Sequence, residues 1–312
     1  MIKKILVTGA AGFLGSHVTE ELVKNGYKVI VLKRSSTDMW RLTHLMQEIT
    51  SYNVDYIQLN EIFRKEEIDC VFHLAAYYKK YHAYEDIDKM IENNLAFPTQ
   101  LVDAAANNEV KLFVNCGSFF EYKPSLYPIA ENSLRIPHNL YSASKLAFEN
   151  IINFYAENYD IKAITLMLFT PYGERDNPTK LIPTLITKSL KGEMVRLSEG
   201  YQKLDFTYAK DIANAFLKTL DALNQLNQRH EFVNIATGVP HSIRDVVSIL
   251  QELSPFPINV EWGKKDIQEY GSAVANVKKA SRVLGWMPLF DIKEGLRNTI
   301  SYYVDGFKDE SS

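Results

Sequence analysis

The chain has 312 residues and a formal net charge of −3 at neutral pH, with Lys and Arg scattered rather than clustered. That length builds one large or two modest domains, and 46% hydrophobic with 23% charged residues is the composition of a soluble globular protein with no basic field to recruit nucleic acid. No apolar run reaches membrane-spanning length, and the opening Met1-Ile2-Lys3-Lys4-Ile5-Leu6-Val7 runs into a glycine turn rather than a cleavage site, so a cytoplasmic protein is expected.

Residues 4–8 are a continuous apolar run, as expected of a strand buried on both faces. After Gly9, Gly12 and Gly15, the residues Leu14, Val18, Leu22 and Val23 recur at helical spacing until Gly26 stops the helix. Residues 27–32 read as a second strand, 54–59 as a weaker third and 69–74 as a strong fourth. A helix is predicted over 92–107, a fifth strand over 112–116, a long helix over 141–159 and a sixth strand over 163–169. This alternation predicts a doubly wound parallel α/β sheet of Rossmann type.

Beyond Tyr172 prolines and glycines punctuate residues 171–183. Helices are predicted over 184–191, 211–222 and 242–253, the last with Ser242 as its N-cap. A further strand is predicted over 232–236, and a helix–turn–helix over 277–303 around Gly285-Trp286-Met287-Pro288. The expected organisation is a dinucleotide-binding domain of residues 1–170 with about 204–237, interwoven with a smaller C-terminal substrate domain of residues 171–203 and 238–312.

Cys70 and Cys116 sit in apolar runs, the setting of buried reduced thiols rather than a disulfide. The seven histidines show no metal-ligand spacing, so no metal site is expected.

Thr8-Gly9-Ala10-Ala11-Gly12-Phe13-Leu14-Gly15 lies between a predicted strand and a predicted helix. That context turns a weak glycine pattern into a dinucleotide site: the backbone closes on a pyrophosphate, and helix-terminal N–H groups face its oxygens. At the end of the second strand an NAD enzyme usually places an acid for the ribose 2′-hydroxyl. This chain reads Lys33-Arg34-Ser35-Ser36 instead. Two cations and two hydroxyls suit a 2′-phosphate, with Arg34 gripping it bidentately or stacking on the adenine; the competing reading is a solvated basic loop. NADP(H) is the expected cofactor.

Tyr141 and Lys145 stand four residues apart on a predicted helix, which puts them on one face. A free phenol titrates near pH ~10; a neighbouring ammonium is expected to lower that value and fit the phenol for proton transfer. Ser118, just after the fifth strand at the carboxyl edge of the sheet, is the candidate hydroxyl for a substrate carbonyl. The alternatives are an i, i+4 surface pair and an ordinary loop serine.

Taken together, the chain resembles the extended short-chain dehydrogenase/reductase family, in the group acting on nucleotide sugars. The shared features are the glycine turn, His73-Leu74-Ala75-Ala76, the Asn94 helix, Ser118, Tyr141 with Lys145, Pro171-Tyr172-Gly173, Asp205-Phe206 with Asp211, and the Gly285-Trp286 turn. The resemblance implies that Phe13, Leu14, Leu74, Ala75, Ala76, Asn94 and Thr170 join the cofactor site, with Lys145 also on the nicotinamide ribose. It implies a homodimer through the 92–107 and 141–159 helices. In dehydratases of this group the hydroxyl residue is followed by an Asp-Glu pair; here Phe119-Phe120 follows Ser118, which disfavours elimination of water. Lys33-Arg34 argues against the permanently held NAD of the epimerases.

The expected function is therefore NADPH-dependent reduction of a nucleotide-linked 4-keto-6-deoxysugar, as in the 4-ketoreductases of deoxysugar synthesis. A nucleotide-sugar 4-epimerase is the alternative, and an idle dinucleotide sensor a third reading. Arginines that many relatives use are replaced by Met167 and Leu204, and a common Asn by Thr170. Lys188, Arg196, Lys203, Lys264 and Lys265 are candidate substitutes for binding the diphosphate. Tyr77, Lys79, Ser118, Phe119, Phe120 and Thr170 complete the expected substrate contacts, from the Tyr77–His82 loop and the strand ends.

Overall fold

The computed structural model describes residues 2–125, 128–263 and 271–311. Strands β1 (Lys4–Thr8), β2 (Lys28–Lys33), β3 (Ile49–Asn53), β4 (Cys70–His73), β5 (Leu112–Ser118), β6 (Lys162–Leu168) and a last strand, His230–Ile235, form one seven-stranded sheet. Every neighbouring pair is parallel, in the order His230–Ile235, β6, β5, β4, β1, β2, β3. The winding reverses between β1 and β4, so a crevice opens above the carboxyl ends of those two strands, where ligands of such sheets collect.

The strands are apolar on both faces because helices cover both. Successive side chains alternate across the sheet. Ile5, Val7, Val29, Val31, Phe72 and Val114 face one way, against helix α1 (Phe13–Lys24) and the later helix Ala209–Ala222. Leu6, Ile30, Val71 and Phe113 face the other, against α2 (Leu59–Glu66), α4 (Phe97–Asn107) and α5 (Leu140–Asn158); the short α3 (Ile87–Ile91) precedes α4. A third cluster, including Tyr172, Leu185, Val246, Leu250 and Leu296, gathers the helices Leu181–Leu190, Ile243–Leu253 and Ile292–Ser311.

Two buried aspartates clasp these parts. Asp205 accepts from the N–H and hydroxyl of Thr237 at 2.8 and 2.6 Å and from the N–H of Gly238 at 2.8 Å. Asp211 accepts from Leu289 N–H at 2.8 Å, while the Trp286 indole donates to its main-chain carbonyl at 3.1 Å. The Asp-Phe and Gly-Trp motifs are thus fold-locking elements.

The third strand is Ile49–Asn53, not residues 54–59. Residues 54–59 carry more apolar side chains, but as an edge strand β3 needs only Ile49 and Tyr52 turned inward, and these two are buried. The 92–107 helix is continuous with α3 through a π-helical segment, Glu92–Ala96. Ser242 caps its helix as expected, accepting from Asp245 N–H at 3.0 Å. Cys70 and Cys116 are free thiols.

Candidate active site

The glycine turn is built by close approach. Gly12 N–H donates to the Gly9 carbonyl at 2.9 Å, and Gly9 has φ +70°. A β-carbon on Gly9 would stand 2.5 Å from Ala75 N, and one on Gly15 would overlap the Gly9 carbonyl oxygen. Gly12 is the N-cap of α1 and brings no side-chain acceptor, so the first-turn N–H groups are left for an anion. A cavity of about 960 Å³ opens over the turn, its wall including Gly9, Gly12, Lys33, Arg34, Ala75 and Ala76. These residues fit a dinucleotide: small cradle, donor-rich helix end, cations at the far rim. Phe13, Leu14 and Gly15 open α1, and Leu74 follows β4; none of these four residues lines the cavity.

Arg34 donates to Asn93 Oδ1 at 2.5 Å, and Ser35 is held in the edge loop, its N–H donating to Asp55 at 2.7 Å and its hydroxyl oxygen accepting from Asn53 Nδ2 at 2.9 Å. Asn94 has its side chain committed to the protein. It accepts from Tyr77 N–H at 2.7 Å and donates to the Tyr77 carbonyl and Ser144 Oγ, both at 3.0 Å. It therefore ties the loop after β4 to α5 between Tyr141 and Lys145, and the π-bulge at Glu92–Ala96 carries it there.

The three proton-transfer candidates converge at the carboxyl edge. Ser118 is the last residue of β5, and its hydroxyl accepts from Phe120 N–H at 3.3 Å. Tyr141 opens α5, which Asn139 caps by accepting from Ser142 N–H at 2.9 Å; α5 packs on the turn that follows Ser118. Lys145 is only 2% exposed, yet its ammonium makes no hydrogen bond or ion pair with a described residue. The Tyr141 hydroxyl likewise hydrogen-bonds to no described residue. A buried cation without a hydrogen-bonded partner is costly, which marks Lys145 as a candidate for a functional role.

One expectation is corrected. Burial, then the neighbouring Cys116, Glu121 and Tyr78, hold the Tyr141 phenol well above its ordinary value in the ligand-free protein. Lys145 does not outweigh that dry setting. Burial also raises the Cys116 thiol to about 11 and holds His73 well below its usual range, the latter with help from Lys145.

The expected substrate residues divide. Tyr77 and Lys79 turn to Asp86, at 2.5 and 3.8 Å, and it is Tyr78 that meets Tyr141, ring centroids 4.9 Å apart. Phe119 is buried in a core cluster with Tyr122 and Phe169, whereas half-buried Phe120 stacks near His138 with ring centroids 6.0 Å apart. Thr170 follows β6 with φ +24°, and its buried hydroxyl oxygen has no partner among the described residues. Lys188 pairs with Glu193 and Arg196 with Glu261, each at 3.2 Å, and Lys203 sits exposed on a short strand. Lys264 and Lys265 lie outside the described residues.

Sequence reasoning missed three contributors. Lys180 stands 4.0 Å from the Tyr78 ring centroid, a neighbour brought from a distant loop that no spacing signals. Arg41 donates to Ala11 O at 3.2 Å and to Arg175 O at 3.0 Å, stapling the glycine turn to the Gly173–Asp176 segment. Asp38, four residues beyond Arg34, joins the cavity wall.

The chain matches the NAD dependent epimerase/dehydratase family over residues 5–236. It is 29% identical to a CDP-abequose synthase of Salmonella muenchen over 96% of this chain and 97% of that protein. It is 28% identical to a putative UDP-glucose 4-epimerase of Methanocaldococcus jannaschii over 96% and 97% of the two chains. Among solved structures, MoeE5 in complex with UDP-glucose and NAD superposes with a TM-score of 0.86 at 27% identity, covering 97% of this chain and 99% of that one. The UDP-glucuronic acid 4-epimerase from Bacillus cereus, in complex with UDP-glucuronic acid and NAD, gives 0.87 at 27% identity over the same shares. Fold, cradle and sequence agree: the protein is a member of the NAD dependent epimerase/dehydratase family, an extended short-chain dehydrogenase/reductase of the nucleotide-sugar group.

Proposed function

We propose that the protein uses NADPH to reduce the 4-keto group of a nucleotide-linked 4-keto-6-deoxysugar. The observation that carries this reading is Lys33-Arg34 in the cavity wall at the end of β2, where two cations await a 2′-phosphate. The likeness to CDP-abequose synthases supports a nucleotide-linked sugar. Gly9, Gly12, Lys33 and Arg34 would hold NADPH over the carboxyl ends of β1 and β2, and the cofactor would supply the hydride. Ser118 and Tyr141 hold the carbonyl oxygen, and Tyr141 gives up its proton as negative charge develops there. A phenol kept neutral by burial is in the correct state to donate. Lys145 lends its unpaired ammonium to the ribose and to the phenolate left behind.

The second reading is a 4-epimerase acting on a nucleotide sugar with the same Ser-Tyr-Lys set. Asp38 in the cavity wall favours it, as an acid within reach of a ribose, and so does the NAD in the solved relatives. A dimer through the α4 and α5 region is part of the proposal, supported by exposed Ile91, Phe154 and Tyr159. With neither nucleic-acid field nor described membrane-spanning helix, a cytoplasmic small-molecule enzyme is the natural setting.

Incubation with NADPH and dTDP-, CDP- and GDP-linked 4-keto-6-deoxysugars tests the proposal. One of these should yield the 4-hydroxy product with one NADPH consumed per ketone. Interconversion of UDP-hexoses without net absorbance change would establish the epimerase instead.

A further inference from the structure

Behind the Ser118–Tyr141–Lys145 set lie two acidic residues that the reaction does not use. Glu121 is 0% exposed and Glu149 3%. Glu121 comes from the turn after β5, and its Oε1 accepts Ser118 N–H at 2.7 Å. Glu149 comes from α5, one turn beyond Lys145, and its Oε2 pairs with Arg135. The same guanidinium stands 3.8 Å from Glu121 Oε2. The two remaining oxygens, Glu121 Oε2 and Glu149 Oε1, are both buried and both without a hydrogen-bond partner among the described residues.

We infer that Glu121 and Glu149 hold a single proton between them, which fixes Ser118 and keeps a second negative charge away from Tyr141. Ionised carboxylates only accept, so two of them side by side in a dry site leave both inner oxygens unsatisfied. One proton satisfies both at once. Burial and then Glu149 hold Glu121 well above the usual carboxylate range, and burial raises Glu149 against the pull of Arg135. Arg135 pairs directly with Glu149 and stands 3.8 Å from Glu121 Oε2, so the negative charge sits on Glu149 and the proton on Glu121.

The groups facing the pair set the charge balance. Lys145, Tyr141 and Glu149 come from α5, Cys116 and Ser118 from β5, and Tyr122 and Arg135 from the segment between, while Glu131 stands against Tyr122 rather than the pair. His230, on the last strand, is neutral beside Arg135, lowered to about 3 by burial first. With one proton on the pair, Arg135 and Lys145 face a single negative charge, and the excess positive charge favours phenolate character at Tyr141. Lose that proton and the excess vanishes, with the new charge on Glu121, the member of the pair that Tyr141 feels. Glu121 and Glu149 are thus positioning residues, acting through Ser118 and Tyr141.

Infrared spectroscopy of the whole protein at pH ~8, where ordinary carboxyls are ionised, reads the proton directly. The wild type should show the carbonyl stretch of one protonated side-chain carboxyl. Glu121→Gln should remove it while its amide oxygen still accepts Ser118 N–H, and Glu149→Gln should remove it too, by releasing Arg135 to ionise Glu121. A wild type without the band, or a band surviving either substitution, overturns the shared proton. This arm needs no substrate, so it decides the pair even if the reductase reading on which the next arm rests fails. In turnover, Glu149→Gln moves negative charge onto Glu121, and the alkaline limb of kcat should rise by on the order of one pH unit. A limb that stays in place overturns the link to Tyr141.

Discussion

The Tyr78 ring meets the Tyr141 ring edge-on, centroids 4.9 Å apart and planes at 82°. The phenol proposed as proton donor is therefore a packed ring as well as a hydroxyl. Tyr141→Phe keeps the ring against Tyr78 and deletes only the hydroxyl. Turnover should fall by ~10²–10⁴-fold, while NADPH affinity, measured by fluorescence titration, stays within about twofold. Near-normal turnover in this variant would remove Tyr141 from the chemistry.

In the proposed function, the choice of NADPH rests on Arg34 and Lys33. Arg34 already leans on Asn93 through a 2.5 Å hydrogen bond, which holds the guanidinium at the cavity rim. Arg34→Ser should lose a charge-assisted contact of ~1.5–3 kcal/mol, a roughly 10–100-fold loss in kcat/KM for NADPH with little change for NADH. Equal losses for both cofactors would mean that no 2′-phosphate is read there.

Gly15→Ala places a methyl against the Gly9 carbonyl oxygen, which is main chain and cannot rotate aside. The turn must open for the helix to survive. Destabilisation of ~1–3 kcal/mol is expected, with cofactor binding lost before the fold, as seen by comparing Tm with and without NADPH. A variant with unchanged Tm and affinity would contradict the cradle.

Acid should unfold the protein through its buried histidines. His17 is lowered from 6.5 to about 4, by burial first and then by Arg175. It takes a proton more readily unfolded than folded, so stability falls as pH drops from 6.5 towards about 4. That single group accounts for roughly 3 kcal/mol. Glu121 and Glu149 act oppositely, since raised carboxyls lose their contribution as pH rises. His17→Asn should flatten the acid slope of stability by about one proton, ~1.4 kcal/mol per pH unit, in denaturant melts at stepped pH. An unchanged slope would contradict the neutral His17.

Much of the sheet was legible because strands buried on both faces leave long apolar runs, as in Leu6, Val7, Val71 and Phe72. The edge strand Ile49–Asn53 was not, since it turns only Ile49 and Tyr52 inward. In the site, Gly9, Gly12, Gly15, Ser118, Tyr141 and Lys145 stood out because close approach and helical spacing constrain residue type locally. Lys180, Arg41 and Asp38 did not, because segments far apart in the chain bring them to their places. The direction of the Tyr141 shift was misread for the same reason. Spacing reveals the neighbouring ammonium, but not the burial of the ring that outweighs it, to which Cys116, Glu121 and Tyr78 add in the same direction.

In the proposed reaction hydride passes from the nicotinamide to carbon 4 of the sugar. NADPH carrying deuterium at the transferable position of nicotinamide C4, turned over with a nucleotide-linked 4-keto-6-deoxysugar, tests this most directly. Mass spectrometry and proton resonance should find one deuterium, on sugar carbon 4, in every product molecule. Product without the label, or a 4-hydroxy sugar epimerised while the labelled cofactor is left unchanged, would contradict it.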